Sequence, residues 1–207
     1  MARASHSAVT AAAELVEAAF STLPHGYALD KEAATYNDSL TFGEMATSDI
    51  WLMLDEDSWK HAFCDLGSGV GKLAVVAASF FRASCGVELA PERALVAARA
   101  VGALTKPANL SLLCASFLDL ELRGFDVLFC HNLVFTRALS RALEQKLDHE
   151  LASGAVVFTV AELRFTKRGR LNTELQASYG WAPAGELRPL YRYCWVGQPL
   201  PQPEEDS

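Results

Sequence analysis

The sequence predicts an α/β fold with a mostly parallel central sheet and helices on both faces. Three observations predict it. From His61 onward, short apolar runs alternate with helical stretches, the rhythm of strand–helix–strand units. The apolar runs are almost uninterrupted, as strands covered on both faces require. A glycine turn, Gly67 to Gly71, lies between the first run and the helical stretch that follows it, where open parallel sheets bind ligands.

The elements follow in order. Ala8 to Phe20 reads as a helix, with Val9, Ala12, Leu15, Val16 and Ala19 on one stripe; Pro24 and Gly26 end it. Tyr27 to Leu40 carries no firm pattern. Ser48 to Leu54 reads as a short helix running into an acidic turn, Asp55 to Asp57. His61 to Leu66 is the first strand. Lys72 to Phe81 is apolar nearly all round and reads as a buried helix. Ser84 to Glu88 is the second strand, and Pro91 to Leu104 a helix with proline in its first turn. Leu110 to Ala115 and Asp126 to Cys130 are the third and fourth strands. Thr136 to Leu151 is an amphipathic helix, and Ala155 to Val160 the fifth strand. Trp181, Tyr191, Tyr193 and Trp195 lie near further C-terminal strands and read mainly as core.

Composition narrows the function. The 207 residues are 51% hydrophobic and 21% charged, with a net charge of −7. One domain with a real core is expected. The acidic balance argues against direct sequence-specific nucleic-acid binding. Lys167, Arg168 and Arg170 form a local basic cluster, expected to be a solvated loop. No apolar run reaches the roughly 20 residues that span a bilayer, so no membrane partner is expected. Glu14 and Glu17, inside an Ala-rich pattern, favour an ordinary N-terminal helix over a targeting peptide. The five cysteines, Cys64, Cys85, Cys114, Cys130 and Cys194, include no C-x-x-C pair. No metal site is expected, and the thiols read as small buried hydrophobes in a reducing compartment.

The motif that carries chemistry is Asp65-Leu66-Gly67-Ser68-Gly69-Val70-Gly71. A P-loop would need glycine at Leu66 and a hydroxyl at Leu73, and fails twice. A dinucleotide fingerprint would need glycine at Lys72, which weakens that reading. Asp65 would repel a pyrophosphate, whereas S-adenosylmethionine carries an ammonium and a sulfonium. An acid there suits that ligand. Glu88 ends the second strand, 21 residues after Gly67, where an acid accepts hydrogen bonds from ribose hydroxyls. Its alternative role is to cap the next helix or to face solvent.

Four stretches together resemble the class I methyltransferases, which have a Rossmann-like fold. Within them they resemble most the non-SET histone-lysine methyltransferases of the disruptor-of-telomeric-silencing type. They are Phe42-Gly43-Glu44, Asp65 to Gly71, Gly86-Val87-Glu88, and Val127 to Phe135, with a fainter echo at Glu186 to Pro199. The resemblance covers Thr41 to Leu200. It implies that S-adenosyl-L-methionine is the cofactor, its methionine end held by Asp65 and Gly67 within the loop of Ser68, Gly69, Gly71 and Lys72. Glu88 would hold the ribose and Phe117 would pack on the adenine. Phe42 and Glu44 would close over the cofactor. His131, Asn132 and Phe135 would line the channel admitting a lysine. The implied organisation is an N-terminal helical segment and closing loop over 1–60, the methyltransferase domain over 61–200, and a mobile acidic tail over 201–207. The implied partner is a protein, a histone or nucleosome, and the implied compartment the nucleus, with the cytoplasm as alternative.

The chain also departs from the family pattern. His131 replaces the first of two adjacent asparagines, Ser116 the acid that accepts the adenine amine, Lys72 a glutamine and Met45 a threonine. These departures keep two alternatives open: a methyltransferase of a small molecule or non-histone protein, and a cofactor-binding fold without activity. At the residue level, His131 can accept a hydrogen bond from an amine or take its proton, or be a satisfied histidine at a strand end. Asn132 can hold the amine or the cofactor, or cap a loop. Phe135 can wall a channel or fill core.

Overall fold

The computed structural model describes residues 3–23, 43–104, 107–164 and 166–198. Phe42, the stretch Tyr27 to Leu40 and the acidic tail lie outside the described residues. One seven-stranded sheet organises the chain, in the order β3-β2-β1-β4-β5-β7-β6. The strands are β1 (Ala62–Leu66), β2 (Ala83–Glu88), β3 (Leu110–Cys114), β4 (Val127–Cys130), β5 (Val156–Thr159), β6 (Gly169–Ser178) and β7 (Leu187–Trp195). The first five run parallel. β7 is antiparallel to both β5 and β6.

Alternate residues of the central strands face opposite layers. Phe63, Phe129 and Phe158 face a core shared with three helices: α1 (His6–Phe20), α2 (Lys72–Ala77) and α3 (Pro91–Ala103). Cys64, Leu66, Leu128 and Val157 face α4 (Arg137–Glu150) through Leu143 and Leu147, and through Leu151 just after its end. All three leucines are fully buried, each worth about 1.5–3 kcal/mol relative to exposure. Side-chain caps set two helix starts: Ser5 Oγ accepts from Ala8 N–H at 3.2 Å, and Thr136 Oγ1 from Leu139 N–H at 3.2 Å.

Several expectations need correction. The helix expected over Lys72 to Phe81 stops at Ala77. Asn109 Nδ2 captures the carbonyls of Ala78 and Phe81, and Phe81 turns inward to stack on Phe63 at 5.1 Å. Apolar periodicity cannot register a stop made by a side chain 28 residues away. The short helix before β1 is a 3-10 helix, Thr47–Met53. Cys114 is exposed and Cys194 half-buried, while Cys64, Cys85 and Cys130 are buried. Cys114 ends β3, the edge strand, where Ser111 and Leu113 are exposed as well.

The basic cluster is not a solvated loop throughout. Arg168 is 5% exposed. It donates to the carbonyls of Asp148, Leu151, Val196 and Gly197. Among the described residues no helix joins β5 to β6. The connecting chain is held to α4 by carboxylates one helical turn apart. Glu144 accepts from Arg164 N–H at 2.8 Å. Asp148 accepts from the N–H groups of Lys167 and Arg168 and from Trp195 Nε1.

Candidate active site

The glycine turn sits at the C-terminal ends of β1 and β2, tied down by its own backbone. Gly67 and Ser68 N–H both donate to Val87 O, at 2.9 and 2.8 Å. Gly67 has a φ of +82°, and a Cβ added there would meet nothing within 4 Å. The conformation selects glycine, and the open space beside it faces a potential ligand.

Two acids flank the turn. Asp65, on β1, is 3% exposed. Burial raises its carboxyl well above the ordinary carboxylate range, and the neighbouring charges of Glu88, Cys85 and Glu44 push it further. Among the described residues no cation pairs with it. A carboxylate in that state is suited to a cationic ligand. Glu88, at the end of β2, accepts from Gly69 N–H through Oε2 and from Ala90 N–H through Oε1, both at 2.8 Å. It therefore caps the start of α3 and braces the glycine turn together. Arg93 Nη1 lies 3.7 Å away. Burial raises Glu88 as well, against the lowering effect of Ala90 N–H and Arg93.

Lys72, in the first turn of α2, is engaged by the protein itself. Its Nζ reaches Glu17 of α1 at 2.8 Å and Glu44 at 3.2 Å. Burial works to lower this ammonium, but the hydrogen bond to Glu17 and the charge of Glu44 outweigh it and raise it. Lys72 thus fastens the N-terminal helix and the closing loop to the glycine helix. That loop also extends the sheet. Ala46 N–H donates to Ser178 O at 2.8 Å, Gly180 N–H to Glu44 O at 2.9 Å, and Met45 bridges to Tyr179.

His131 follows β4 and closes the same space from the other side. A Cβ on Gly43 would overlap its imidazole ring, so glycine lets the closing loop lie flat on the histidine. Tyr179 and Trp181 stack on each other at 5.2 Å, and His131 meets both edge-on. Trp181 Nε1 donates to His131 Nε2 at 3.1 Å. Burial lowers the imidazole from 6.5 to about 4. The ring is neutral at physiological pH, and its Nε2 lone pair is already in use. Trp181 is thus not core: it is 36% exposed and belongs to this cluster. Tyr193 and Trp195 are core, as expected, and Tyr191 is half-buried.

The structure brings Glu44, Asp65, Gly67, Ser68, Lys72 and His131 around one small cavity of about 20 Å³. It places the other expected residues differently. Asn132 does not present a free amide. Its Oδ1 accepts from Val160 and Ala161 N–H at 3.1 and 2.8 Å, and its Nδ2 donates to Ala161 O at 2.9 Å. The loop-capping role is the one its geometry supports, because both ends of the amide are spent joining the ends of β4 and β5. Phe135 stacks on Phe117 at 5.7 Å and 13°, so the ring expected at the adenine and the ring expected at the channel share one wall. Ser116 Oγ accepts from Leu118 N–H at 3.1 Å in a local turn.

Sequence reasoning missed Tyr179 and Glu17. The spacing of Tyr179 and Trp181 around Gly180, at the end of β6, was the available signal, since a glycine between two aromatics marks a turn rather than core. Nothing in the sequence pairs Glu17 with Lys72, 55 residues away. Among the described residues no cluster of His, Cys, Asp and Glu forms a metal site, and no helix is long and apolar enough to cross a membrane.

The family model described as "Histone methylation protein DOT1" matches residues 30–178. No curated protein matches. Among solved structures, a putative methylase from Haemophilus influenzae matches with a TM-score of 0.56 at 18% identity, over 74% of this chain and 90% of the other. An RNA methyltransferase from Salinibacter ruber, bound to S-adenosyl-L-homocysteine, matches with a TM-score of 0.52 at 17% identity, over 70% and 85%. Magnesium protoporphyrin IX methyltransferase from Synechocystis, bound to its methyl donor, matches with a TM-score of 0.53 at 12% identity, over 66% and 71%. At these identities the likeness establishes the fold, the Rossmann-like fold of class I methyltransferases.

Proposed function

We propose, from the premise that the chain belongs to the DOT1 histone methylation family, that it is an S-adenosylmethionine-dependent protein-lysine methyltransferase. The observation that carries the cofactor is Asp65. It is a buried carboxylate beside an open glycine turn, with no cation of the described protein to pair with it. The ammonium of the cofactor's methionine end supplies that cation. Asp65 and Gly67 would hold this end, and Glu88 would turn one oxygen to the ribose hydroxyls. When bound, the cofactor supplies an electrophilic methyl group on a sulfonium.

The chain's own residues then prepare the acceptor. Methyl transfer requires a neutral amine held in line with the methyl carbon. The wall of His131, Tyr179 and Trp181 is aromatic and poor in charge, so it favours the neutral amine by desolvation. His131 shapes this wall. Its depressed basicity and its bond from Trp181 leave it a positioning group, and the amine's proton is released to water. Asn132 acts at one remove by fixing the loop that carries His131. Phe135 supports the same loop through Phe117.

A histone is the first acceptor to test, and the nucleus the first compartment to examine. Both rest on family membership. Calorimetry with S-adenosylhomocysteine on the wild-type chain and on Asp65→Asn tests the cofactor. Radiolabelled methyl transfer to free histones, nucleosomes and a cell extract tests the acceptor. Tight cofactor binding without label on any protein would replace the lysine reading with a small-molecule acceptor. No affinity for the nucleoside would remove the proposal altogether.

A further inference from the structure

The cysteines Cys64, Cys85, Cys114, Cys130 and Cys194 lie on different strands, so the register of the sheet decides which of them meet. Cys64 of β1 stands directly opposite Cys85 of β2. The others have different neighbours. Cys130 is opposite Leu66 and Thr159, Cys114 is opposite Glu88, and Cys194 is opposite Val156 and Arg170. Cys64 and Cys85 also share a face, in the layer against α4. Neighbouring strands stand about 4.8 Å apart, and a disulfide spans Cα atoms about 4.4–6.8 Å apart. The pair meets that backbone requirement without any rearrangement of the sheet.

The two thiols are not equivalent. Cys64 is fully buried, whereas Cys85 is 6% exposed. On the same face, β3 beside Cys85 offers Ser111 and Leu113, both exposed. Among the described residues no helix joins β3 to β4 to cover them. A small oxidant therefore approaches Cys85 from the β3 edge. Hydrogen bonding with Cys64 holds the Cys85 thiol below its ordinary value, and the same contact together with burial raises Cys64 well above its own. Cys85 is the attacking sulfur and Cys64 the resolving one.

We infer that Cys64 and Cys85 form a redox-sensitive pair, oxidised by a hydroperoxide to a disulfide that loosens ligand binding at the glycine turn. The Cys85 thiolate attacks a peroxide oxygen; the O–O bond breaks, hydroxide leaves and a sulfenic acid forms. The Cys64 sulfur then attacks the Cys85 sulfur, the S–O bond breaks and water leaves. The two thiols lose two electrons and two protons, and the peroxide becomes two waters. The bond needs its Cβ atoms about 3.8 Å apart, closer than the strand spacing, so β1 shifts against β2. The turn follows that shift. Asp65 comes directly after Cys64, Gly67 and Ser68 N–H are both bonded to Val87 O, and a Cβ on Gly86 would meet Ser68 Oγ at 2.9 Å. Formation of the bond stands on the register alone; its effect on the nucleoside rests on the cofactor reading above.

The test treats the full chain with hydrogen peroxide, alkylates it after unfolding and maps the peptides by mass spectrometry. Two of the five thiols are expected to escape alkylation as a Cys64–Cys85 cross-link, and the ¹H–¹⁵N signals of Gly67, Ser68 and Gly69 to move. S-adenosylhomocysteine should bind at least 10-fold more weakly by calorimetry and recover with a dithiol. Cys85→Ser should bind within twofold of untreated wild type and ignore peroxide. Cys114→Ser removes the exposed thiol opposite Glu88 and should respond as wild type does. Five alkylated thiols after treatment, a cross-link between other cysteines, a Cys114→Ser chain indifferent to peroxide, or a mapped Cys64–Cys85 bond with unmoved turn signals would overturn the inference. A cross-link with moved turn signals, in a chain whose reduced form binds no nucleoside, would sink the methyltransferase reading and leave the thiol pair standing.

Discussion

His131→Asn restores the residue that the family pattern carries at this position, and its consequence for stability can be worked out in advance. Desolvation lowers the half-buried His131 imidazole from 6.5 to about 4. Burial is the main cause. Trp181 Nε1–H acts in the same direction, since only an unprotonated Nε2 can accept it. Between the two values the unfolded chain binds a proton that the folded chain refuses. Stability contributed by the neutral ring is therefore fully present above pH 6.5 and is lost as pH falls toward 4. Each pH unit inside the window carries about 1.4 kcal/mol. The whole window is worth roughly 3 kcal/mol, of which about 2 kcal/mol falls between pH 7 and pH 5.

Asparagine does not titrate, so the variant lacks this component. Urea unfolding of both proteins at pH 7, 6 and 5 isolates it, because every other titrating group cancels in the difference. Wild type is expected to lose about 2 kcal/mol more than the variant over that interval. An NMR titration of the His131 ring should show no midpoint above pH 5. Parallel stability profiles, or a ring that titrates near 6.5, would refute both the desolvation of His131 by the aromatic cluster and the claim that His131 is no general base.

Three further outcomes follow from the same contacts. Asp65→Asn should weaken S-adenosylhomocysteine binding roughly 10- to 100-fold, the worth of one charge-assisted hydrogen bond. It should also stabilise the ligand-free chain at pH 7, because the folded carboxyl sits above its ordinary value and costs more stability as pH rises from the acid range; calorimetry and urea unfolding read the two effects. Asn132→Ala leaves Val160 and Ala161 N–H without their acceptor and should cost roughly 3 kcal/mol, seen as a lower urea midpoint with nucleoside affinity unchanged. Lys72→Met should cost on the order of 1 kcal/mol, since Glu17 is half exposed, and should speed proteolytic cleavage within residues 1–60.

What the sequence revealed, and what it hid, divides along the same physical line. The five parallel strands were legible to within about a residue because β1, β2, β4 and β5 are buried almost throughout and read as apolar runs, while β3 keeps an apolar sequence although it is largely exposed at the sheet edge. Asp65, the glycines and Glu88 were legible because they are local: one turn, and one strand end beyond it. β6 was not, since its edge position leaves Arg170, Thr173, Glu174 and Gln176 exposed without a clean alternation, and a bulge at Leu171 and Thr173 breaks its register. The contacts of His131 with Trp181, Lys72 with Glu17, and Asn132 with Ala161 span 29 to 55 residues. No periodicity reports such pairs. The role of Asn132 inverted for this reason: its residue type suits an amine, but the fold had already spent both ends of its amide.

The two sides of the proposed site are therefore built on different physics. The cofactor side rests on a glycine turn whose backbone is bonded to β2, with apolar helices packed beneath it. Core packing is graded, so small changes there cost stability in proportion to the volume altered. The acceptor side has no helix between β5 and β6 among the described residues. Its loops are held by Asn132, Glu144, Asp148 and Arg168 through buried or partly buried bonds to backbone groups. Such clamps fail abruptly, because removing one partner strands the others away from water. Substitutions at the buried apolar positions of α2 and α3, such as Val76 and Ala100, should shift stability while leaving nucleoside affinity close to its wild-type value. Substitutions at the clamps should release the loops that frame the acceptor before the rest of the domain unfolds.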